Sequence, residues 1–449
     1  MFPYIPLTKN DEKVMLDQIG IQSVGELFND IPEGLKLNRR LDLDAPKSEL
    51  EVARHIKALS KKNKTTVDFT CFLGAGAYDH YVPSVVNHLS GRSEFYTSYT
   101  PYQPEISQGT LRAIFEYQTM ISNLTGLDIA NASLYDVSTA VVEAAIMTLS
   151  SVRKSDTVLV SKTVSPEVRK VLHTYMKYRD VKVIEIDMVD GETCTIDLKA
   201  KLGKNVAGVI VQSPNFFGII EDVTKVSQLA HENGSYMVMS VDPISLGILK
   251  KPSELGADIA VGEGQALGNY LNFGGPYLGF IAATEELSRK MPGRICGQSE
   301  DKNGKRAFVL TLQAREQHIR RYKATSNICS NQGLLAVRAT IYLSTLGKEG
   351  LKEVAQQCMQ KAHYAAAQMT ASGKYELAFN KPFFKEFAIK GPEAVVGLNE
   401  KLLTHHMIGG FDCAAEYETL TNTSLYCVTE KRTKAEIDAL IKVLEVTPI

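Results

Sequence analysis

Cysteine is sparse and scattered in this chain. Cys71, Cys194, Cys296, Cys329, Cys358, Cys413 and Cys427 include no Cys-x-x-Cys pair and no clustered Cys/His spacing. That excludes a structural zinc site of the usual spacing, and no metal is expected. An odd, dispersed set reads as reduced thiols buried as small hydrophobes, the usage of a cytoplasmic protein. Charge of one sign is also missing. The formal net charge is -1, so no global field recruits nucleic acid or an anionic membrane, and neither is expected as a partner. The basic run Lys61-Lys62-Asn63-Lys64 reads as a solvated loop. No apolar run reaches the ~18–20 residues that span a bilayer. The start, Met1-Phe2-Pro3-Tyr4-Ile5-Pro6, has no basic stretch leading into an apolar one, so it is not read as a signal peptide.

What is present suits a large soluble protein. A chain of 449 residues with 44% hydrophobic residues is long for one domain and suggests two, with an extra terminal segment. Residues 1–65 read as a helical arm. Asp11 to Ile19 and Ser23 to Asn29 are amphipathic, with Asn10 and Ser23 as N-caps and Gly20 as the stop, and Leu50 to Leu59 is a third helix. A stretch from Phe72 to about Gln108 is rich in Gly, Pro and Tyr and reads as one long functional or interface loop. Thr110 to Leu124 and Val141 to Leu149 read as helices. Residues 66–315 then show short β-branched runs: Thr157–Ser161, Val181–Ile186, Val206–Gln212, Tyr236–Val241, Asp258–Gly262 and Leu278–Ala283. Helical segments at 166–177 and 223–233 separate several of these runs. Nearly unbroken apolar strands with helices between them argue for an α/β domain with a mostly parallel sheet buried on both faces. Residues 316–449 read as a smaller α+β domain. Its helices are Gly333 to Leu346, Leu351 to Thr370 and Lys434 to Leu444, with strands near 376–381, 386–389 and 425–429.

Three places carry chemistry. Asp136-Val137-Ser138-Thr139-Ala140 opens an apolar helix, where free N–H groups and the positive dipole end hold a phosphate or simply accept an N-cap. Asp242 follows the strand Tyr236–Val241, and a carboxylate at a strand's carboxyl end holds a pyridinium nitrogen protonated or caps the next turn. The strand after it runs into Gly262-Glu263-Gly264-Gln265-Ala266-Leu267-Gly268 and then Gly274-Gly275-Pro276. A Schiff-base lysine belongs on such a loop, yet no lysine lies between Lys251 and Arg289. Without an amine there, this chain cannot hold pyridoxal phosphate covalently. Lys250 and Lys251 precede the loop and stand just before Pro252, where they read as solvent-exposed. The glycines at 262, 264 and 268 are off the dinucleotide pattern by one residue and lead into a loop, not a helix.

The segment Tyr96-Thr97-Ser98-Tyr99-Thr100-Pro101-Tyr102-Gln103-Pro104-Glu105-Ile106-Ser107-Gln108-Gly109 resembles a signature of the glycine decarboxylase P-protein family. So do Ile129-Ala130-Asn131-Ala132-Ser133-Leu134 and the run from Lys323 to Gly333, and the likeness extends from Gly74 through the C-terminal helices. The resemblance implies a type I pyridoxal-phosphate (aminotransferase-like) fold with a seven-stranded type of sheet. In that family two related halves form the enzyme, as one tandem chain or as separate subunits, and the lysine belongs to the C-terminal-type half. This chain resembles the N-terminal-type half, the first subunit of the split form. Counting from Gly-Gly-Pro puts the family's lysine at Gln265; counting from Asp258 puts it at Ala266.

The resemblance further implies pyridoxal phosphate held by a lysine-bearing second subunit, glycine as substrate, the lipoylated H-protein as acceptor and a heterotetramer in the cytoplasm. Tyr96, Tyr99, Tyr102, Gln103, Glu105 and Gln108 are the candidate wall of the partner's active site. Ser138, Thr139 and Asp242 are candidate remnants of a cofactor site in this half. The alternatives are a stand-alone pyridoxal-phosphate aminotransferase or decarboxylase and a pure assembly scaffold.

Overall fold

The computed structural model describes residues 4–97, 99–272 and 274–445. Met1 to Pro3 of the start, Ser98 of the Tyr-rich segment and Phe273 before Gly274 therefore lie outside the described residues. The chain divides into two units, Met1–Lys64 and Thr65–Ile449.

The first unit is built from local signals. Helix α1 (Lys9–Ile19) starts at Thr8, whose side chain accepts the Asp11 N–H while the Asp11 carboxylate accepts the Thr8 N–H. The expected cap at Asn10 is thus corrected: Asn10 is already inside the helix, because the reciprocal Thr8–Asp11 pair starts it earlier. Gly20 closes it with φ +81, a left-handed conformation that suits glycine. Ser23 caps a single 3-10 turn, Val24–Phe28. Helix α2 (Glu49–Ser60) repeats the capping box with Ser48 and Glu51. No described residue from 4 to 64 is buried.

The second unit is organised by a sheet of seven strands. Helix α3 (Gln108–Thr125) leads to β1 (Ile129–Ala130), then α4 (Val137–Ser151), β2 (Thr157–Ser161) and α5 (Pro166–Met176). Next come β3 (Lys182–Ile186), β4 (Val206–Gln212), α6 (Val223–Glu232), β5 (Tyr236–Val241), β6 (Ile259–Glu263) and β7 (Gly279–Ala283). The spatial order is β1-β7-β6-β5-β4-β2-β3. The run from β6 to β3 is parallel, and β7 lies antiparallel between β6 and β1. The period of two sorts the strand residues into two cores. Val158, Val160, Ile210, Val238 and Val261 pack under α4 and α5. Leu159, Val209, Val211, Met237, Met239 and Ala260 face the opposite way, toward Tyr117 and Ile121 of α3.

That second face also receives Ala336, Ala339 and Tyr342 of α7 (Gly333–Ala371). Gly347, at φ +58 and ψ -170, breaks α7 into two helical pieces, matching the expected pair of helices on either side of it. Two short helices, Ser84–Ser90 and Ser93–Tyr96, occupy the stretch read as an uninterrupted loop. A further short helix, Thr195–Lys201, precedes β4. Among the described residues, no helix is long and apolar enough to cross a membrane.

The C-terminal layer contains β8 (Glu376–Leu377), β9 (Glu386–Lys390), α8 (Val395–Thr404), β10 (Phe411–Asp412), β11 (Thr423–Cys427) and α9 (Lys434–Glu445). Its strands are antiparallel in the order β8-β9-β11-β10. This layer is joined to the large sheet along one seam. The Ile220 N–H donates to Pro382 O at 2.9 Å, and the Phe384 N–H donates to Gly218 O at 3.0 Å. The seam needs glycine at 218: φ is +82, and an added Cβ would meet the backbone carbonyl of Glu386. Gly218→Ala is expected to destabilise the protein by about 2–4 kcal/mol, read as a lower thermal midpoint. An unchanged midpoint contradicts the close approach.

Candidate functional site

The carboxyl ends of β4, β5 and β6, the start of α4 and the seam just described surround a cavity of about 370 Å³. Parallel α/β sheets place ligands at this end of the strands. Asp242 follows β5 because the strand ends in a turn that its own carboxylate stabilises: Oδ1 accepts the Ile244 N–H at 2.9 Å. Its Oδ2 lies 2.6 Å from Lys385 Nζ.

Lys385 enters from the residue before β9 and is 1% exposed. Its ammonium sits 3.5 Å from the centroid of the Tyr78 ring and 2.9 Å from His80 Nε2. Burial disfavours the charge, but Asp242, with smaller contributions from Cys427 and Cys358, outweighs this, and the Lys385 pKa is raised above its ordinary value. Because the ammonium only donates, His80 Nε2 is the acceptor and its proton sits on Nδ1, which faces Glu430 Oε2 at 2.6 Å. Burial works against the Glu430 charge, yet hydrogen bonds from His80 Nδ1 and the Tyr81 N–H hold its carboxyl below the ordinary carboxylate value.

Two further carboxyls line the cavity and behave oppositely. Burial pushes Glu386 up to about 7 against the Ala75 N–H and the Tyr78 hydroxyl, both of which donate to it at 2.7 Å. Burial likewise pushes Glu263, at the end of β6, up to about 7. Its oxygens accept the N–H groups of Leu278 (2.8 Å), Gln265 (3.1 Å) and Val137 (3.2 Å). The last of these is the first N–H of α4.

The residues singled out from sequence separate here. Ser138, Asp242 and Ala266 line the cavity. Thr139 does not: its hydroxyl and N–H bond to Asp136, the N-cap of α4, with 2.8 Å between the Thr139 N and Asp136 Oδ1. Gln265 also turns away. It donates to Tyr78 O at 3.0 Å and Asn269 O at 2.8 Å, and accepts the Tyr78 N–H at 2.9 Å. Of the two lysine-equivalent positions, only Ala266 faces the space. None of the six Tyr-rich segment residues lines this cavity. Tyr99 is 93% exposed, and Tyr96 and Glu105 are exposed as well. Tyr102 donates to Asn331 Oδ1 at 3.2 Å beneath Arg294. Gln108 exchanges hydrogen bonds with the backbone of Phe308, at 2.8 Å in each direction, and Gln103 lies in a separate surface hollow beside Tyr102.

Lys385, Tyr78, His80, Glu386 and Glu430 were not anticipated from sequence. The available signal was a lysine set inside the apolar run Phe383-Phe384-Lys385-Glu386-Phe387, where a solvent-facing cation is out of place.

Pyridoxal phosphate does not fit these residues. There is no amine on the loop at 264–266, Asp242 already has a cation, and the first N–H of α4 already has an acceptor. The one group of described residues with metal-type ligands close together is His80, Cys358 and Glu430, whose ligand atoms lie within 4.8 Å of one another. Lys385 already supplies a cation against His80, and Cys358 donates to Glu430 Oε2 at 3.4 Å. The cluster reads as a satisfied hydrogen-bond network.

The glutamate decarboxylase of Lactobacillus brevis has a TM-score of 0.68 at 12% identity, covering 93% of this chain and 97% of that one, which shows the fold alone. A crystal structure of glycine decarboxylase (P-protein) of the glycine cleavage system, in inhibitor-bound form, gives a TM-score of 0.91 at 40% identity over 99% of both chains. The fold is therefore that of type I pyridoxal-phosphate enzymes. The probable glycine dehydrogenase (decarboxylating) subunit 1 of Moorella thermoacetica is 54% identical over 438 residues, 98% of each chain. The model of the glycine cleavage system P-protein family matches residues 3–444, and the chain belongs to that family.

Proposed function

We propose that this chain is the lysine-free half of a split glycine decarboxylase. With a lysine-bearing second subunit it removes the carboxyl group of glycine as CO2, and the aminomethyl group passes to the lipoyl arm of H-protein. The observation that carries this reading is the 54% identity, over 98% of both chains, to a protein named probable glycine dehydrogenase (decarboxylating) subunit 1. Gln265 and Ala266 on the sheet-end loop agree with it, because the covalent cofactor chemistry must then be housed elsewhere. Pyridoxal phosphate, the electron sink of the reaction, is held by the partner. Ser138 and Asp242 are remnants of a cofactor site in this half.

Two surfaces support a partner. The arm by itself leaves Val14, Ile19, Leu27, Phe28, Ile56 and Leu59 uncovered, apolar side chains that suit contact with a partner. The Tyr-rich segment holds Tyr96, Tyr99 and Glu105 outward and away from this chain's own cavity, so the active site it walls is the partner's. Phenols and a carboxylate on a Pro-stiffened segment suit orientation of a small zwitterion or shaping of a lipoyl channel.

Lys385 raises a second reading, a stand-alone pyridoxal-phosphate enzyme using a lysine from an unexpected strand. Its Nζ lies against Asp242, the end of the site that pairs with the ring nitrogen and not with the aldehyde carbon. That geometry favours the split enzyme.

Co-expression with the lysine-bearing partner is expected to give glycine decarboxylation that vanishes when either chain is omitted; activity of this chain alone contradicts the proposal. Tyr99→Phe combined with Glu105→Gln is expected to lower kcat/KM about tenfold or more with assembly intact, and full activity in an intact assembly removes the wall role. Deletion of residues 1–64 is expected to abolish co-purification with the partner, while unchanged co-purification shows that the arm is not the docking surface.

A further inference from the structure

Lys385 is buried within a closed set of partners. Asp242 Oδ2 lies at 2.6 Å, His80 Nε2 at 2.9 Å and the Tyr78 ring face at 3.5 Å. The backbone around it is pinned on both sides. The Phe384 N–H donates to Gly218 O at 3.0 Å, and Lys385 O accepts the Val428 N–H at 2.9 Å. These bonds fix the backbone from which the side chain enters the cavity.

A carboxylate at the end of β5 is what a protonated pyridine nitrogen needs in this fold. An ammonium and a pyridinium N–H offer that carboxylate the same thing, one positive charge and one donor at hydrogen-bond distance. At the other end of the cavity, Glu263 takes the first N–H of α4 at 3.2 Å, so a phosphate there meets a carboxyl group in place of an open donor.

We propose that this cavity is a cofactor site closed by the chain's own side chain, with Lys385 as the internal counter-ion of Asp242 in the place of the ring nitrogen. The chain then excludes pyridoxal-type phosphates by charge, beyond its lack of a Schiff-base lysine. Deleting a Schiff-base lysine leaves a noncovalent site that still competes for cofactor; occupying the counter-ion removes that site. The inference rests on the fold and on these contacts, not on the reaction proposed above, and its test uses no activity measurement.

The test is equilibrium dialysis of the full-length chain against pyridoxamine phosphate, which has no aldehyde and so cannot label surface lysines. The wild-type chain is expected to take up no stoichiometric equivalent. Lys385→Met is expected to bind at least about tenfold more tightly than wild type, and adding Asp242→Asn to it is expected to reverse that gain. If Lys385→Met does not fold, Lys385→Gln replaces it, since the amide keeps an N–H for Asp242 and drops the charge, and the same gain is expected. One equivalent bound by the wild-type chain and lost in Asp242→Asn overturns the proposal. So does a folded Lys385 variant that binds no more tightly than wild type.

Discussion

The buried ion pair between Lys385 and Asp242 is the contact on which the rest of the site depends. It joins the residue before β9 of the C-terminal layer to the residue after β5 of the large sheet, and it does so where both charges are nearly out of water. Such a pair is a weak source of net stability, because desolvation takes back much of the attraction. Its loss on one side is a different matter: an uncompensated buried charge costs about 3–5 kcal/mol, a large part of the roughly 5–15 kcal/mol that holds a typical domain. The pair therefore specifies an arrangement more than it strengthens one. Around it, His80 and Glu430 extend the network on one side, and Tyr78 and Glu386 extend it on the other.

This arrangement gives the absent lysine a physical context. The loop after β6 ends in Gln265 and Ala266, and Gln265 spends its amide tying the loop to the Tyr78 backbone. Tyr78 in turn covers Lys385. Two positions that would face a cofactor, at the strand end and at the helix start, are thus engaged by the chain itself, and the loop presents only the Ala266 methyl group. In the proposed division of labour the partner supplies the covalent chemistry. This half supplies matching architecture, an apolar arm and a Tyr-rich outer segment.

Much of the sheet was legible in the sequence, because buried parallel strands are written as dense β-branched runs. Thr157–Ser161, Val206–Gln212 and Tyr236–Val241 were read with the bounds they have. Ser138 and Asp242 were legible for a related reason, since a helix start and a strand end are local features with local signals. Thr8 was missed as a cap because its partner is Asp11 and not the glutamate of the usual box. The helices at Ser84–Ser90 and Ser93–Tyr96 were masked by the surrounding Gly, Pro and Tyr. Lys385 was invisible for a deeper reason. Its role is set by Asp242, His80 and Tyr78, which the fold brings together from distant stretches, and nothing within its own strand distinguishes it beyond its apolar neighbours. Which of Gln265 and Ala266 lines the cavity also needed the fold, because only the backbone turn decides which of two adjacent residues faces it.

The central claim is that covalent cofactor chemistry is absent from this chain and present in its partner. The most direct measurement is borohydride reduction of the assembled two-subunit enzyme loaded with pyridoxal phosphate, followed by digestion and mass spectrometric location of the modified lysine. The account predicts the stoichiometric label on a lysine of the partner alone. A stoichiometric label on a lysine of this chain, Lys385 included, contradicts it.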